Sequence, residues 1–334
     1  MRIVVLLVLV FATLAFSLSN PPKWPARVYE PSAIQQKENC IQLGRALFYD
    51  PILSRDSSIS CASCHSSYVA FTHVDHPVSH GIDDRIGRRN APALMNLAWN
   101  SSFMWDGAIN HLDMQPLAPI TNALEMDEQL PNVISKLKRS DMYRRLFVEV
   151  YGDSTITTER MLKAFSAFLI TLESRNSRYD KVMRGEVQFT DQEMNGYRIF
   201  QQQCNACHTE PLFTNHQFRS NGIAAKTGEA GRAEVSHMPT DSGLFKVPTL
   251  RNAYYSRPYM HDGRLARLSD VVRHYADGHF SERASSEMEM VTGMNEQERV
   301  DLTAFLLGLS DSSFVFDKSL QYPFKLFETY GVEH

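Results

Sequence analysis

The sequence predicts a mainly α protein made of two tandem copies of one small helical domain. Three observations predict it. Apolar residues recur at helical spacing in several stretches, and no run alternates as a strand would. The pentapeptides Cys61-Ala62-Ser63-Cys64-His65 and Cys204-Asn205-Ala206-Cys207-His208 stand once in each half. Their surroundings repeat too. Gly44 to Phe48 precedes the first as Gly196 to Phe200 precedes the second, and Phe71-Thr72 and Phe213-Thr214 follow them. Arg89-Asn90-Ala91 leads to Met104-Trp105-Asp106-Gly107 as Arg251-Asn252-Ala253 leads to Met260-His261-Asp262-Gly263.

Each C-x-x-C-H pentapeptide has the spacing of a c-type haem attachment site. Two thiols three positions apart can each add to one vinyl group of a porphyrin. The adjacent His65 or His208 then gives its imidazole to the iron as proximal ligand. A redox C-x-x-C or half of a zinc site accounts for one such copy. It does not account for two, each followed at once by histidine. Two covalently bound haem c groups are expected, and they supply much of the core of each domain.

The 334 residues, 43% hydrophobic and 22% charged, allow two packed domains and exclude a disordered chain. A formal charge of -4 gives no nucleic-acid signal. Residues 1–19 read as a secretory signal: Arg2, an apolar run from Ile3 to Phe16, then small Ser17 and Ser19. That run is short for a membrane span, with an uncleaved anchor as the alternative. Export to the periplasm accords with the haem motifs. The N-terminal domain is placed at 20–180 and the C-terminal domain at 181–334.

Along the chain, Asn20 to Pro31 is a proline-rich, extended lead-in. A helix begins near Asn39 and ends at Asp50-Pro51. Ser66 to Asn90 forms a loop around the first haem, and Pro92 to Trp99 a short helix. Met161, Leu162, Phe165, Phe168, Leu169 and Leu172 mark the helix that closes the first domain, and Asn176 to Glu186 the link. Asn221 to Pro239 reads as a flexible Gly- and Ala-rich loop, and Glu298 to Leu309 as the last strong helix. Cys40 lies outside both motifs and is a free thiol or a small core residue.

In Leu43 to His65, Gly87 to Asn96, Phe103 to Gly107, Gln115 to Met126, Phe245 to Ala253, Pro258 to Gly263 and Leu268 to Tyr275, the sequence resembles a known family. This is the bacterial dihaem cytochrome c peroxidases with their relative MauG, the enzyme that matures methylamine dehydrogenase. The resemblance covers nearly the whole chain after the signal. It implies two tandem cytochrome c-like haem domains, the first haem reacting with peroxide and the second transferring electrons.

Residue roles follow from that likeness. Gln115 and Glu125, ten positions apart, match the family's distal pair. Glu125 would move a proton between the peroxide oxygens and Gln115 would orient them. Without the likeness, Glu125 is a solvated helix residue and Gln115 a loop cap. Trp105 matches the tryptophan between the haems, able to relay an electron, and core packing is its other role. Tyr275 stands where typical peroxidases place a methionine on the second iron and MauG a tyrosine. A phenolate there lowers the reduction potential. In the alternative, Tyr275 packs on the haem edge while Met260 or Met294 ligates.

Members that need reductive activation carry a histidine on the loop after the first motif, and Ile82 occupies that position. His73, His76 and His80 share the loop without aligning. An iron already open to peroxide is expected, with the three histidines as surface or loop residues. The family's interdomain calcium ion implies the Asn90 side chain and the Ser256 and Pro258 carbonyls as ligands.

The resemblance implies an enzyme with hydrogen peroxide as oxidant and a redox partner protein. That partner is a small cytochrome or cupredoxin in a conventional peroxidase, or a protein substrate in a MauG-like enzyme. Ile82 and Tyr275 favour the MauG-like branch. A dihaem electron carrier without catalysis is the alternative from another class. Nucleic acid is not an expected partner, and many members are homodimers.

Overall fold

The computed structural model describes residues 23–224 and 228–331, so the expected secretory signal at 1–19 lies outside them. The first half runs through α1 (Glu38–Tyr49), α2 (Cys61–Cys64), α3 (Leu117–Thr121), α4 (Leu130–Arg139), α5 (Asp141–Tyr151) and α6 (Thr158–Leu169). The second runs through α7 (Arg178–Met183), α8 (Asp191–Gln203), α9 (Ala233–Ser236), α10 (Leu268–Asp277) and α11 (Glu296–Leu307). Short helices α12 (Ser312–Val315) and α13 (Phe324–Thr329) close the chain. A two-residue antiparallel pair, β1 (Phe218–Arg219) with β2 (Phe245–Lys246), sets Phe218 opposite Lys246. Strands that short leave no alternation to read. No helix among the described residues is long and apolar enough to cross a membrane.

Local chemistry fixes the helix ends. Thr190 and Asn295 open α8 and α11 with reciprocal caps. Each side chain accepts from the N–H of Glu193 or Glu298, whose carboxylate accepts from the cap's own N–H. Helix α1 stops at Asp50-Pro51, since proline has no N–H for the next helical bond, and Asp50 then caps the following 3-10 turn through Ile52 N–H.

The tandem repeat is visible in how these helices cross. Helix α1 packs on α6, and α8 packs on α11. A Cβ at Gly44 would stand 1.8 Å from the Ala164 carbonyl oxygen, and one at Gly196 would stand 2.0 Å from that of Asp301. Each glycine therefore lets two helix backbones touch, and Phe48 and Phe200, four residues on, are fully buried behind the crossing. One core gathers Leu43, Leu47, Phe48, Tyr143, Phe147, Phe165 and Phe168, and the other Tyr179, Tyr197, Phe200, Phe213, Leu302 and Phe305.

Four features differ from the sequence reading. Helices α4 and α5 were not anticipated. Pro92 to Trp99 is irregular up to Met95 and then makes one 3-10 turn, Leu97–Trp99. Asn96 is the reason: it takes the left-handed conformation, φ 54°, and donates its N–H to Leu172 O. The link at Asn176 to Glu186 contains α7, whose Ser177–Asp180 capping box holds Tyr179 in the second core. The last residues return to the first domain: Phe314, Val315, Leu320 and Phe327 belong to its core. Cys40 is a free, fully buried thiol there, pushed up to about 11 by desolvation.

Candidate functional site

Helix α2 carries Cys61 and Cys64, with Ser60 and Ser63 capping each other at its start. His65 ends it, its N–H bonded to Cys61 O at 2.9 Å. The His65 ring sets Nδ1 2.9 Å from Phe71 O. A carbonyl only accepts, so Nδ1 carries the proton and Nε2 keeps its lone pair. Burial lowers the His65 pKa to about 4, so the ring stays neutral. The thiols are pushed up by the same desolvation, Cys61 to about 12 and Cys64 to about 11.

The second motif repeats this chemistry. His208 Nδ1 faces Phe213 O at 3.2 Å and Pro248 O at 3.1 Å, and burial lowers it to about 4. Cys204 is pushed up to about 12. His65 and His208 line one continuous cavity of about 440 Å³. A neutral imidazole, fixed by a carbonyl at one nitrogen and bare at the other, beside two unpaired thiols is the donor set that c-type haem requires. Both motifs fit the group.

Gln115 and Glu125 are half-buried and line the same cavity, on either side of α3. Glu125 has no cationic partner among the described residues. Burial raises its pKa, opposed by a hydrogen bond from Asn122. Its charge also helps raise both Cys61 and Cys64, which sets it beside the first attachment site. Ile82 is fully buried and not on the cavity wall, and its N–H donates to Glu125 O at 2.8 Å. A Cβ on Gly81 would lie 2.2 Å from Leu124 O and 2.5 Å from Glu125 Cα. Gly81 thus lets the loop brace Glu125. Sequence reasoning passed over it; the signal available was a glycine directly before the aligned loop position.

The loop histidines divide. His76 is exposed, and His80 lines the cavity. His80 bonds Asp84 through Nδ1 at 2.9 Å and stacks on His76 at 4.0 Å, and His76 stacks on His73 at 5.2 Å. The Cys64 thiol lies 3.6 Å from His80 O. Alignment had not anticipated His80 on this wall.

Trp105 is half-buried on the cavity wall, its indole N–H donating to Asn90 O at 2.8 Å. Its own carbonyl accepts from Lys246 N–H at 2.7 Å, so a first-domain loop is tied to β2. Tyr275, on α10, also lines the cavity. Burial pushes its phenol up, with the Cys204 and Cys207 thiols nearby and Asn221 as a hydrogen-bond partner. Such a phenol ionises only where a cation compensates it. Met260 lines the cavity with Sδ 3.0 Å from Asn221 Nδ2, whereas Met294 is buried in the second core away from it. Asn90, Ser256 and Pro258 share the cavity wall. Among the described residues no three His, Cys, Asp or Glu side chains form a metal cage.

Two haem-attachment motifs opening on one shared cavity, each on its own helical domain, define a dihaem c-type protein. Residues 38–188 match the family model described as di-haem cytochrome c peroxidase, and residues 193–310 the one described as cytochrome c. A methylamine utilization protein MauG from Methylophilus methylotrophus is 30% identical over 320 residues, covering 92% of this chain and 94% of that protein. A cytochrome c551 peroxidase from Nitrosomonas europaea is 32% identical over 269 residues, covering 78% and 79%. The crystal structure of a MauG-like protein associated with microbial copper homeostasis superposes with a TM-score of 0.80 at 29% identity, covering 90% of this chain and 98% of that one. The chain belongs to the dihaem cytochrome c peroxidase and MauG family. It binds haem c covalently and is an oxidoreductase acting on peroxide.

Proposed function

We propose that the protein reduces hydrogen peroxide at its N-terminal haem, with Glu125 and Gln115 as the working side chains, and directs the oxidising power at a partner protein as MauG does. Glu125 carries this reading: a half-buried carboxyl beside the first attachment thiols, with no cationic partner among the described residues. Haem supplies the iron at which peroxide binds and is reduced. Glu125 takes the proton from one peroxide oxygen and returns it to the departing one. The Gln115 amide orients the two oxygens by hydrogen bonding. Trp105, held on the Asn90 carbonyl, passes an electron from the second domain to the first. Tyr275 would hold the second haem's iron through its phenolate oxygen, a hard ligand that would favour the higher oxidation state.

The MauG-like branch draws support from Ile82, a buried aliphatic side chain that gives the first iron no ligand. One observation favours a conventional peroxidase with a small cytochrome or cupredoxin donor: His80, a ligand-type side chain on the same loop, lines the cavity. Calcium between the domains remains part of the proposal. The Asn90 amide nitrogen donates to Pro77 O at 3.0 Å, so its amide oxygen is the atom left for a cation. The leader at 1–19 supports a periplasmic location.

The test is steady-state peroxide consumption by the purified wild type and Glu125→Gln, with covalent haem counted in both. The variant should keep two haems and lose roughly 10²–10⁴-fold in rate. Wild-type rates in Glu125→Gln would overturn the assignment.

A further inference from the structure

Four cationic side chains line the cavity among the described residues: Arg88, Arg89, Arg219 and Lys246. Three have carboxylate partners. Arg88 pairs with Glu234 at 2.7 Å, Arg89 with Asp106 and Glu229, and Arg219 with Glu287 at 3.0 Å. Lys246 has none among the described residues. Its ammonium donates to Ser102 O at 2.6 Å and sits 5.8 Å from the Phe103 ring centre. Desolvation lowers its pKa to about 8.

The described surroundings offer no internal counter-ion. The charges that reach Lys246 are Asp106, whose carboxylate Arg89 already holds, and His216. His216 also lines the cavity and is neutral, lowered to about 4 by burial and then by Lys246. Its Nε2 is buried without a hydrogen-bond partner among the described residues. Glu125 is the one acidic side chain on the described wall, and it makes no ion pair with Lys246.

A group filling the cavity takes this ammonium out of water, and a desolvated cation without a counter-ion is costly. Haem brings carboxylates of its own, its propionates. We propose that Lys246, with His216 beside it, is a carboxylate-binding subsite that takes a haem propionate as its counter-ion. The subsite lies against the loop that carries Trp105, through Ser102 O and the bond from Lys246 N–H to Trp105 O. The propionate belongs to the first haem or the second; the chemistry is the same, and the experiment separates them.

An ammonium held on a propionate keeps that carboxylate ionised in both oxidation states of the iron. Without it, the propionate binds a proton when the iron is reduced, and the midpoint potential acquires a pH slope. Spectroelectrochemical titration of the holoprotein between about pH 5 and 9 reads this directly. Wild type and Lys246→Arg should give flat midpoints, and Lys246→Gln a slope in one haem; the haem that moves owns the propionate. A Lys246→Gln protein with both haems attached and both midpoints as flat as wild type would overturn the subsite. Redox-difference infrared spectra test the same pair in the unaltered protein. A protonated carboxyl band arising from propionate on reduction at neutral pH contradicts the ion pair, and its absence agrees with it.

Discussion

Burial holds the Glu125 carboxyl above the usual carboxylate range. In the role proposed for Glu125 the ionised form accepts the peroxide proton, and that form is lost at a higher pH than in an exposed glutamate. The acid limb of the pH profile of kcat/KM for peroxide should lie above a normal carboxylate midpoint, and Glu125→Gln should lack it. The stability sign is opposite. A raised folded-state pKa gives a contribution present below the unfolded value and lost as pH rises through the folded one. Glu125→Gln removes that loss, so at neutral pH denaturant titration should find the variant no less stable than wild type. Gly81→Ala tests the brace. Its Cβ displaces Leu124 and Glu125 backbone, so peroxide turnover should fall while both haems remain; full activity would mean the loop does not position Glu125. At this scale the attachment residues were legible because covalent chemistry dictates their local spacing. Gly81, His80 and Lys246 were not, because their meaning depends on distant segments that fold onto the same cavity wall.

The glycines Gly44 and Gly196 give the repeat its physical reason, two helix crossings too tight for a methyl group. Gly196→Ala should push α8 from α11 and cost the second domain ~1–3 kcal/mol, the usual penalty of overpacking. Denaturation followed by circular dichroism measures it, and an unchanged midpoint would mean the crossing has slack. Helix α11 is legible from its density of apolar residues, read as Glu298 to Leu309 and found at Glu296–Leu307, although Val300 among them is exposed, whereas α8 shows in the sequence only through the repeat of Gly196 to Phe200. Helix α4 was not legible. It buries only Val133 and Leu137, and Pro131 resembles a breaker although it lies in the first turn, where its missing N–H is harmless. The apolar run at Pro92 to Trp99 misled in the other direction, because the tertiary bond from Asn96 N–H to Leu172 O overrides local preference.

Across the molecule, the two halves are joined by more than the chain at α7. Arg88 and Arg89 reach Glu234 and Glu229, and Arg232 donates to the Asp106 and Gly107 carbonyls. The segment that carries these partners read as a loose Gly- and Ala-rich loop, since ion pairs across domains leave no local pattern. The returning C-terminus was equally silent. Phe314 is buried against Phe71, ring centres 5.7 Å apart, close to the first haem motif in sequence. Phe314→Ala should therefore destabilise the N-terminal domain by ~3–5 kcal/mol. A loss confined to the C-terminal domain on thermal unfolding would contradict that packing.

The proposed function, with Ile82 at the aligned loop position and Tyr275 on the cavity wall near the second motif, predicts a direct reaction between peroxide and the fully oxidised protein. The measurement is a stoichiometric peroxide titration of the as-isolated protein, both irons ferric and no reductant present, followed by optical and electron paramagnetic resonance spectra. The expected result is an immediate reaction in which the ferric signals of both haems fall together and recover slowly, with recovery faster in Tyr275→Met. A diferric protein that stays inert to peroxide until one haem is reduced would contradict it, and would assign the first iron a resting ligand such as His80.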